Sequence, residues 1–275
     1  MYGVGFGIGA IGSTTILKSG GAAYSYLLDA YSGSSVAYSL RKLSSTYSGN
    51  CIRVRRSSDN AEQNIGFVAN VLDTATLLSF VGSGSGFVTT WYDQSGNANN
   101  ASNSNATLQP EIVTSGVLKT LNTKPTIYSA AGKALNYNNL TVVSSFIIGN
   151  ATSLNTVNYV NQISGFGGTV GGLNGSFLTD GSNTIQDSVE DSATKLLSAL
   201  SLTTGNTSRL FVNNVAKGTS TILNNSNVSS IFSNPSNAGP LSNIGNLSEV
   251  IYYSTNQYTN FTGINTNINT FYGIY

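Results

Sequence analysis

Short runs in which apolar and polar residues alternate, each closed by Ser, Asn or Gly, recur from residue 22 to the end of the chain. Val36, Tyr38 and Leu40 alternate with Ala37, Ser39 and Arg41; Ile52 and Val54 with Arg53 and Arg55; Phe87, Thr89 and Trp91 with Val88, Thr90 and Tyr92. A period of two turns one face of each run toward a core, which is strand patterning and not helix patterning. Further strands are expected at Thr126–Ser129, Leu140–Ile148, Tyr159–Ser164, Ser176–Thr179, Thr184–Ser188, Lys195–Leu202 and Leu247–Tyr253. Arg209–Val212 and Val215–Lys217 read as a hairpin, because Asn213-Asn214 tolerates the positive φ of a two-residue connection. Ser, Thr and Asn make up roughly three-eighths of the 275 residues, and these short polar types favour turns and edges over helix interiors. An all-β protein is the expectation.

Two helices interrupt that pattern. Asp73 is placed to cap a short one through Phe80, with Leu77, Leu78 and Phe80 on its apolar side. In the tail, Phe261, Ile264, Ile268 and Phe271 make one stripe over residues 258–272. Many short strands with a C-terminal helix indicate a two-sheet sandwich over residues 22–275. Residues 1–21 differ: Gly separates Tyr2, Val4, Phe6, Ile8 and Ile11, so an isolated strand there lacks side-chain contacts and needs a surface to lie on. They read either as an assembly anchor or as a frayed terminus. The first twelve residues have neither the basic start of a signal peptide nor the unbroken apolar run of a membrane span, so no cleaved leader and no membrane insertion are expected.

Composition removes several chemistries. With no His and one Cys, the chain has no Ser-His-Asp or Cys-His nucleophile system, no imidazole or thiolate metal site and no intrachain disulfide. No metal or cofactor is expected. Only 8% of residues are charged and the net charge is +1, which leaves little attraction for a phosphate backbone; nucleic acid is not an expected partner.

Some motifs resemble known families. Trp91-Tyr-Asp-Gln-Ser-Gly-Asn97, followed by Ala98-Asn-Asn-Ala101, resembles the Tyr-Asp-Gln-Ser-Gly-Asn-Gly-Asn signature in the catalytic domain of fungal-type α-L-arabinofuranosidase B, a concanavalin A-like sandwich. Leu210-Phe-Val-Asn-Asn-Val215 and Gly245-Asn-Leu-Ser-Glu-Val-Ile-Tyr-Tyr253 look like the penultimate hairpin and last strand of laminin-G-like, concanavalin A-type lectin domains. Ser39–Ser45, Ile52–Asn60, Ile65-Gly-Phe67 and Thr262–Ile274 resemble lectin-like proteins of tailed bacteriophages and Bacteroidota-type hosts. The resemblances imply a concanavalin A-like jelly-roll β-sandwich and a role at a particle or cell surface. The arabinofuranosidases carry disulfides, an adjacent Cys pair beside the sugar and a catalytic Glu on an inner strand. This chain has only Cys51, and no position matches that Glu, so catalytic roles do not transfer.

The residues then allow two readings at Trp91–Asn97. Trp91 and Tyr92 form a stacking platform on which Asp93, Gln94 and Asn97 hold sugar hydroxyls, or a core strand ends in an Asx-type turn. Asp187, Glu190 and Asp191 are the only local carboxylate cluster, an acid pair, a calcium site or a solvated loop. Arg53, Arg55 and Arg56 recognise an acidic partner, or Asp59, Glu62 and Asp29 neutralise them within the fold. The function expected from all this is non-enzymatic: a structural protein of a bacteriophage virion surface, attached to other virion proteins through residues 1–21, homo-oligomeric, with weak binding of host or environmental glycans. The alternative is a glycoside hydrolase related to α-L-arabinofuranosidase, and the third reading is a bacterial adhesin.

Overall fold

The computed structural model describes residues 26–130, 132–151, 177–179, 184–186, 193–200, 207–221, 226–232 and 245–275. Tyr2, Val4, Phe6, Ile8 and Ile11 of the expected anchor, the expected strand Tyr159–Ser164, and the cluster Asp187, Glu190 and Asp191 lie outside the described residues.

The fold is the expected β-sandwich. Its hub is the nine-residue strand Gly245–Tyr253. Ser34–Ser39 and Ile127–Ser129 pair along one edge of this strand and Ser144–Ala151 along the other, all antiparallel. Leu247, Val250 and Tyr252 point into the core between the sandwich layers, together with Val36, Tyr38, Trp91 and Ile147. Ile251 and Tyr253 point the opposite way, into a second core shared with Ala37, Phe146 and Ile148. A single buried face was expected for these strands; both are buried because two helices cover the outer side. These are α1 (Leu27–Ala30), a single turn, and, after α2 (Thr74–Val81), the C-terminal α3 (Phe261–Tyr272).

The stripe predicted for the tail lies where α3 meets the sheet: Phe261, Ile264, Ile268 and Tyr272 are buried, and Phe271 is only partly so. Fully buried Ile264 and Ile268 each stabilise the docking by roughly 2 kcal/mol. At the helix end Gly273 takes a left-handed conformation, φ 59°, and its N–H bonds to the Asn269 carbonyl. Asp73 caps α2 as predicted, accepting from the Thr76 N–H. The Asn213-Asn214 turn has φ of 50° and 65°, as the hairpin required.

One expected strand divides in two. Leu140–Ile148 spans parts of Leu135–Val142, which pairs with Ser226–Ile231, and Ser144–Ala151, which pairs with the hub. The Val143 N–H bonds to the Tyr253 carbonyl at the changeover. A run of strand-forming residues carries no mark of a switch in partner. Where Ser144–Ala151 crosses the hub, the register shifts between Ile148 and Gly149. A Cβ at Gly149 would lie 2.9 Å from a Leu247 methyl and closer still to the Asn246 carbonyl, so the approach requires glycine.

A buried ion pair locks the two cores together. Arg41 Nε and Nη2 donate to Glu249 Oε2 and Oε1 at 2.7 and 2.8 Å, and both side chains are fully buried. Ser39 Oγ and Tyr272 Oη also donate to Glu249, and Arg41 Nη1 donates to Asn267 Oδ1 on α3. The guanidinium lies 5.0 Å from the Phe271 ring centre. Removing one member strands the other charge in a dry interior. Glu249→Ala is expected to cost about 3–5 kcal/mol in urea denaturation, whereas Arg41→Met combined with Glu249→Leu costs less than either single change.

Stability should be flat where proteins usually titrate. The chain has no His, and burial pushes the Cys51 thiol well above its ordinary value. Asp59 is held low by Arg56, Asp73 by the Thr76 N–H and Asp29 by Ser45. A depressed carboxyl contributes stability above its unfolded value, about 4, and loses it as pH falls through the lower folded value. The melting midpoint is therefore expected to be constant from about pH 5.5 to 8 and to fall only below about pH 4, read by calorimetry across that series.

Candidate functional site

The strand Gly86–Trp91 carries the chain into the Tyr92–Asn97 turn. Trp91 is fully buried, its ring 5.9 Å from that of Tyr38. A buried indole presents no face to a sugar, so the platform expected at Trp91 is corrected to a core anchor. Tyr92 is half-buried and donates to Asn64 Oδ1. The Asp93 carboxylate accepts from the N–H groups of Ala37, Ser95 and Asn99 and from Ser95 Oγ, at 2.7–3.1 Å. Gln94 accepts from the Leu43 N–H and donates to the carbonyls of Ser39 and Arg41. Asn97 Nδ2 donates to the carbonyls of Ser34 and Ser35, and Gly96 supplies a φ of 92°. The structure thus realises the Asx-turn reading: Asp93 closes the turn on Ser95 and Asn99 and, with Gln94 and Asn97, bonds backbone from residues 34–43, stapling the turn to the hub layer.

That staple forms one wall of a cleft of about 310 Å³. The other walls are residues 32–34, just after α1, and the loop 44–49. The lining holds hydroxyl and amide groups and no charged side chain; Asp29, outside it, accepts from Ser44 Oγ at 3.1 Å. Tyr47 is half-buried, and its position is fixed: its hydroxyl donates to the Asn50 carbonyl and its ring meets the Phe67 ring edge-on at 6.3 Å. A Cβ at Gly49 would sit 2.7 Å from the Tyr47 ring, so that ring lies over bare backbone. Ser32, Ser34, Tyr47 and Ser48 were not singled out in the sequence. Serine is too frequent here to stand out, and the only local signal was glycine at 33, 49 and 96.

The described carboxylates all have partners. Glu62 bonds Arg53 at 2.6 Å, Asp59 bonds Arg56 at 2.7 Å, Glu111 accepts from Thr114 Oγ1, and Glu249 holds Arg41. Arg55 bonds Gln109 and Asn60 and lies over the Phe87 ring. The arginine strand is therefore neutralised or hydrogen-bonded within the fold, although Asp29 contributes to the 44–45 loop and not to the strand. Among the described residues no three His, Cys, Asp or Glu side chains cluster as metal ligands, and no helix is long and apolar enough to cross a membrane.

The family model for the catalytic domain of α-L-arabinofuranosidase B matches residues 29–164, which contain the turn and all of the cleft lining but Leu28. A GH54 α-L-arabinofuranosidase soaked with a cyclic sulfate inhibitor superposes with a TM-score of 0.66 at 14% identity over 88% of this chain. An arabinofuranosidase complexed with arabinofuranosyl-α-1,2-xylobiose gives 0.63 at 13% identity over the same share. A Glu-to-Gln variant of a GH54 α-L-arabinofuranosidase soaked with 4-nitrophenyl α-L-arabinofuranoside also gives 0.63, at 14% identity. The chain spans 64% of the length of each of these structures. No curated protein matches it in sequence. These likenesses overturn the expected bacteriophage surface protein, with its capsid and host-attachment roles, and the expectation of a non-enzyme: they are to a glycosidase catalytic domain, and nothing in them is of phage or lectin type. The described fold is a β-sandwich of the α-L-arabinofuranosidase B catalytic-domain kind.

Proposed function

We propose that the chain is a glycoside hydrolase acting on α-L-arabinofuranosyl linkages. The observation that carries this reading is the match of residues 29–164 to the arabinofuranosidase B catalytic-domain model, on a fold whose similarity extends over 88% of the chain. Such hydrolysis needs two carboxyl groups flanking the scissile bond, about 5–5.5 Å apart for retention or about 6.5–9.5 Å for inversion. The chain has 11 acidic residues. Asp29, Asp59, Glu62, Asp73, Asp93, Glu111 and Glu249 have the partners given above. Asp180, Asp187, Glu190 and Asp191 lie outside the described residues and are the first to replace.

Release of 4-nitrophenol from 4-nitrophenyl α-L-arabinofuranoside by the purified chain is the direct test. Substitution to the amide at a catalytic member of those four should lower kcat by at least about a hundredfold with the melting midpoint unchanged. No release above the uncatalysed rate overturns the reading. With no His in the chain, both limbs of the pH profile fall to carboxyl groups, one ionised and one protonated. The optimum of kcat/KM is accordingly expected on the acid side of neutrality.

Asp93→Ala separates scaffold from site. It leaves buried N–H groups without an acceptor, each costing about 1–3 kcal/mol. Its urea midpoint should drop, while kcat per folded molecule stays at the wild-type value.

A further inference from the structure

The cleft between residues 32–34, 44–49 and 94–96 contains unspent hydrogen-bonding capacity. Ser34 is 5% exposed and its hydroxyl makes no hydrogen bond to the described protein; Ser32 and Ser48 are exposed, and their hydroxyls make none either. All three hydroxyls stand on the cleft wall within reach of solvent, so each can donate to or accept from a group that enters it. By contrast, Ser44, Ser95 and Tyr47 in the same lining already bond to Asp29, Asp93 and the Asn50 carbonyl, which makes the walls rigid. Glycines at 33 and 96 leave backbone uncovered, with open space where each Cβ would stand. The Tyr47 ring adds an apolar surface of the sort that packs on the C–H face of a sugar.

The chemistry of the lining selects the ligand. No cation or anion lines it, so it has nothing to hold a phosphate, a carboxylate or an amine. Free hydroxyls that both donate and accept match a neutral polyol, and about 310 Å³ is the lower end of small-ligand sites. No carboxylate lines the cleft, so it has no acid or base for bond cleavage there. We propose that this cleft binds a neutral saccharide unit as a recognition site apart from the reacting bond. The proposal takes the saccharide class from the hydrolase reading and adds to it a location and a role.

The test uses L-arabinose and xylobiose, which carry no arabinofuranosyl linkage to cleave, titrated into the full chain and followed by amide NMR and calorimetry. The amides of Gly33, Gly49 and Gly96 should shift with either sugar and not with galacturonic acid. Ser34→Ala and Ser48→Ala should each weaken binding about three- to tenfold, the loss of one neutral hydrogen bond, with unchanged melting midpoints. Hydrolysis of the nitrophenyl substrate should keep its kcat in both variants. Shifts confined to other residues, affinities equal to wild type in both variants, or no binding at millimolar sugar overturn the proposal. Hydrolysis without a response at the cleft overturns this inference alone; a response at the cleft without hydrolysis overturns only the catalytic reading.

Discussion

The bidentate contact between Arg41 and Glu249 is the constraint around which the other elements are arranged. Both groups are fully buried, and an isolated charge in that position would be costly, so the pair holds only while the loop after Ser34–Ser39, the hub strand and α3 are all in place. Each element supplies part of the cage: Ser39 precedes Arg41, Glu249 lies in the hub, and Asn267, Phe271 and Tyr272 come from the helix. The hub strand can then be apolar on both faces, because one face is covered by the opposing sandwich layer and the other by α1 and α3.

The same economy governs the turn after Trp91. With few charges available, Asp93 acts as an acceptor for backbone N–H groups and Gln94 as a clamp on residues 39–43. This places the turn against the hub layer and, as a geometric by-product, leaves a cleft whose lining is hydroxyl and amide. A motif shared with an enzyme domain is thus, among the described residues, the element that shapes a surface. Its side chains are occupied, and the hydroxyls that face the cleft without a protein partner come from residues 32–34 and from the 44–49 loop.

Much of the fold was legible in the sequence. Period-two alternation located the strands 34–39, 52–56 and 86–91; Asp73 marked the start of α2; the spacing of Phe261, Ile264 and Ile268 marked α3; and Asn213-Asn214 marked the hairpin. These are local signals, set by backbone geometry and side-chain periodicity. The changeover at Val143 was not legible, because Thr141, Ser144 and Ser145 on either side of it suit a strand as well as a break, and only the pairing partners differ. At Trp91 and Tyr92 the sequence left a platform and a core strand both open, since aromatic type alone does not say which side of a sheet a ring faces.

The sequence by itself determined an all-β chain with two notable helices, a scarcity of charge, and the exclusion of imidazole and thiolate chemistry. Those follow from residue type and spacing. Tertiary structure decided that Glu249 is a buried counterion to Arg41, that Trp91 is core, and that Ser32, Ser34 and Ser48 line one cleft. The reason is distance along the chain: Arg41 and Glu249 are 208 residues apart, and their partnership depends on strands whose register is fixed only when both cores close.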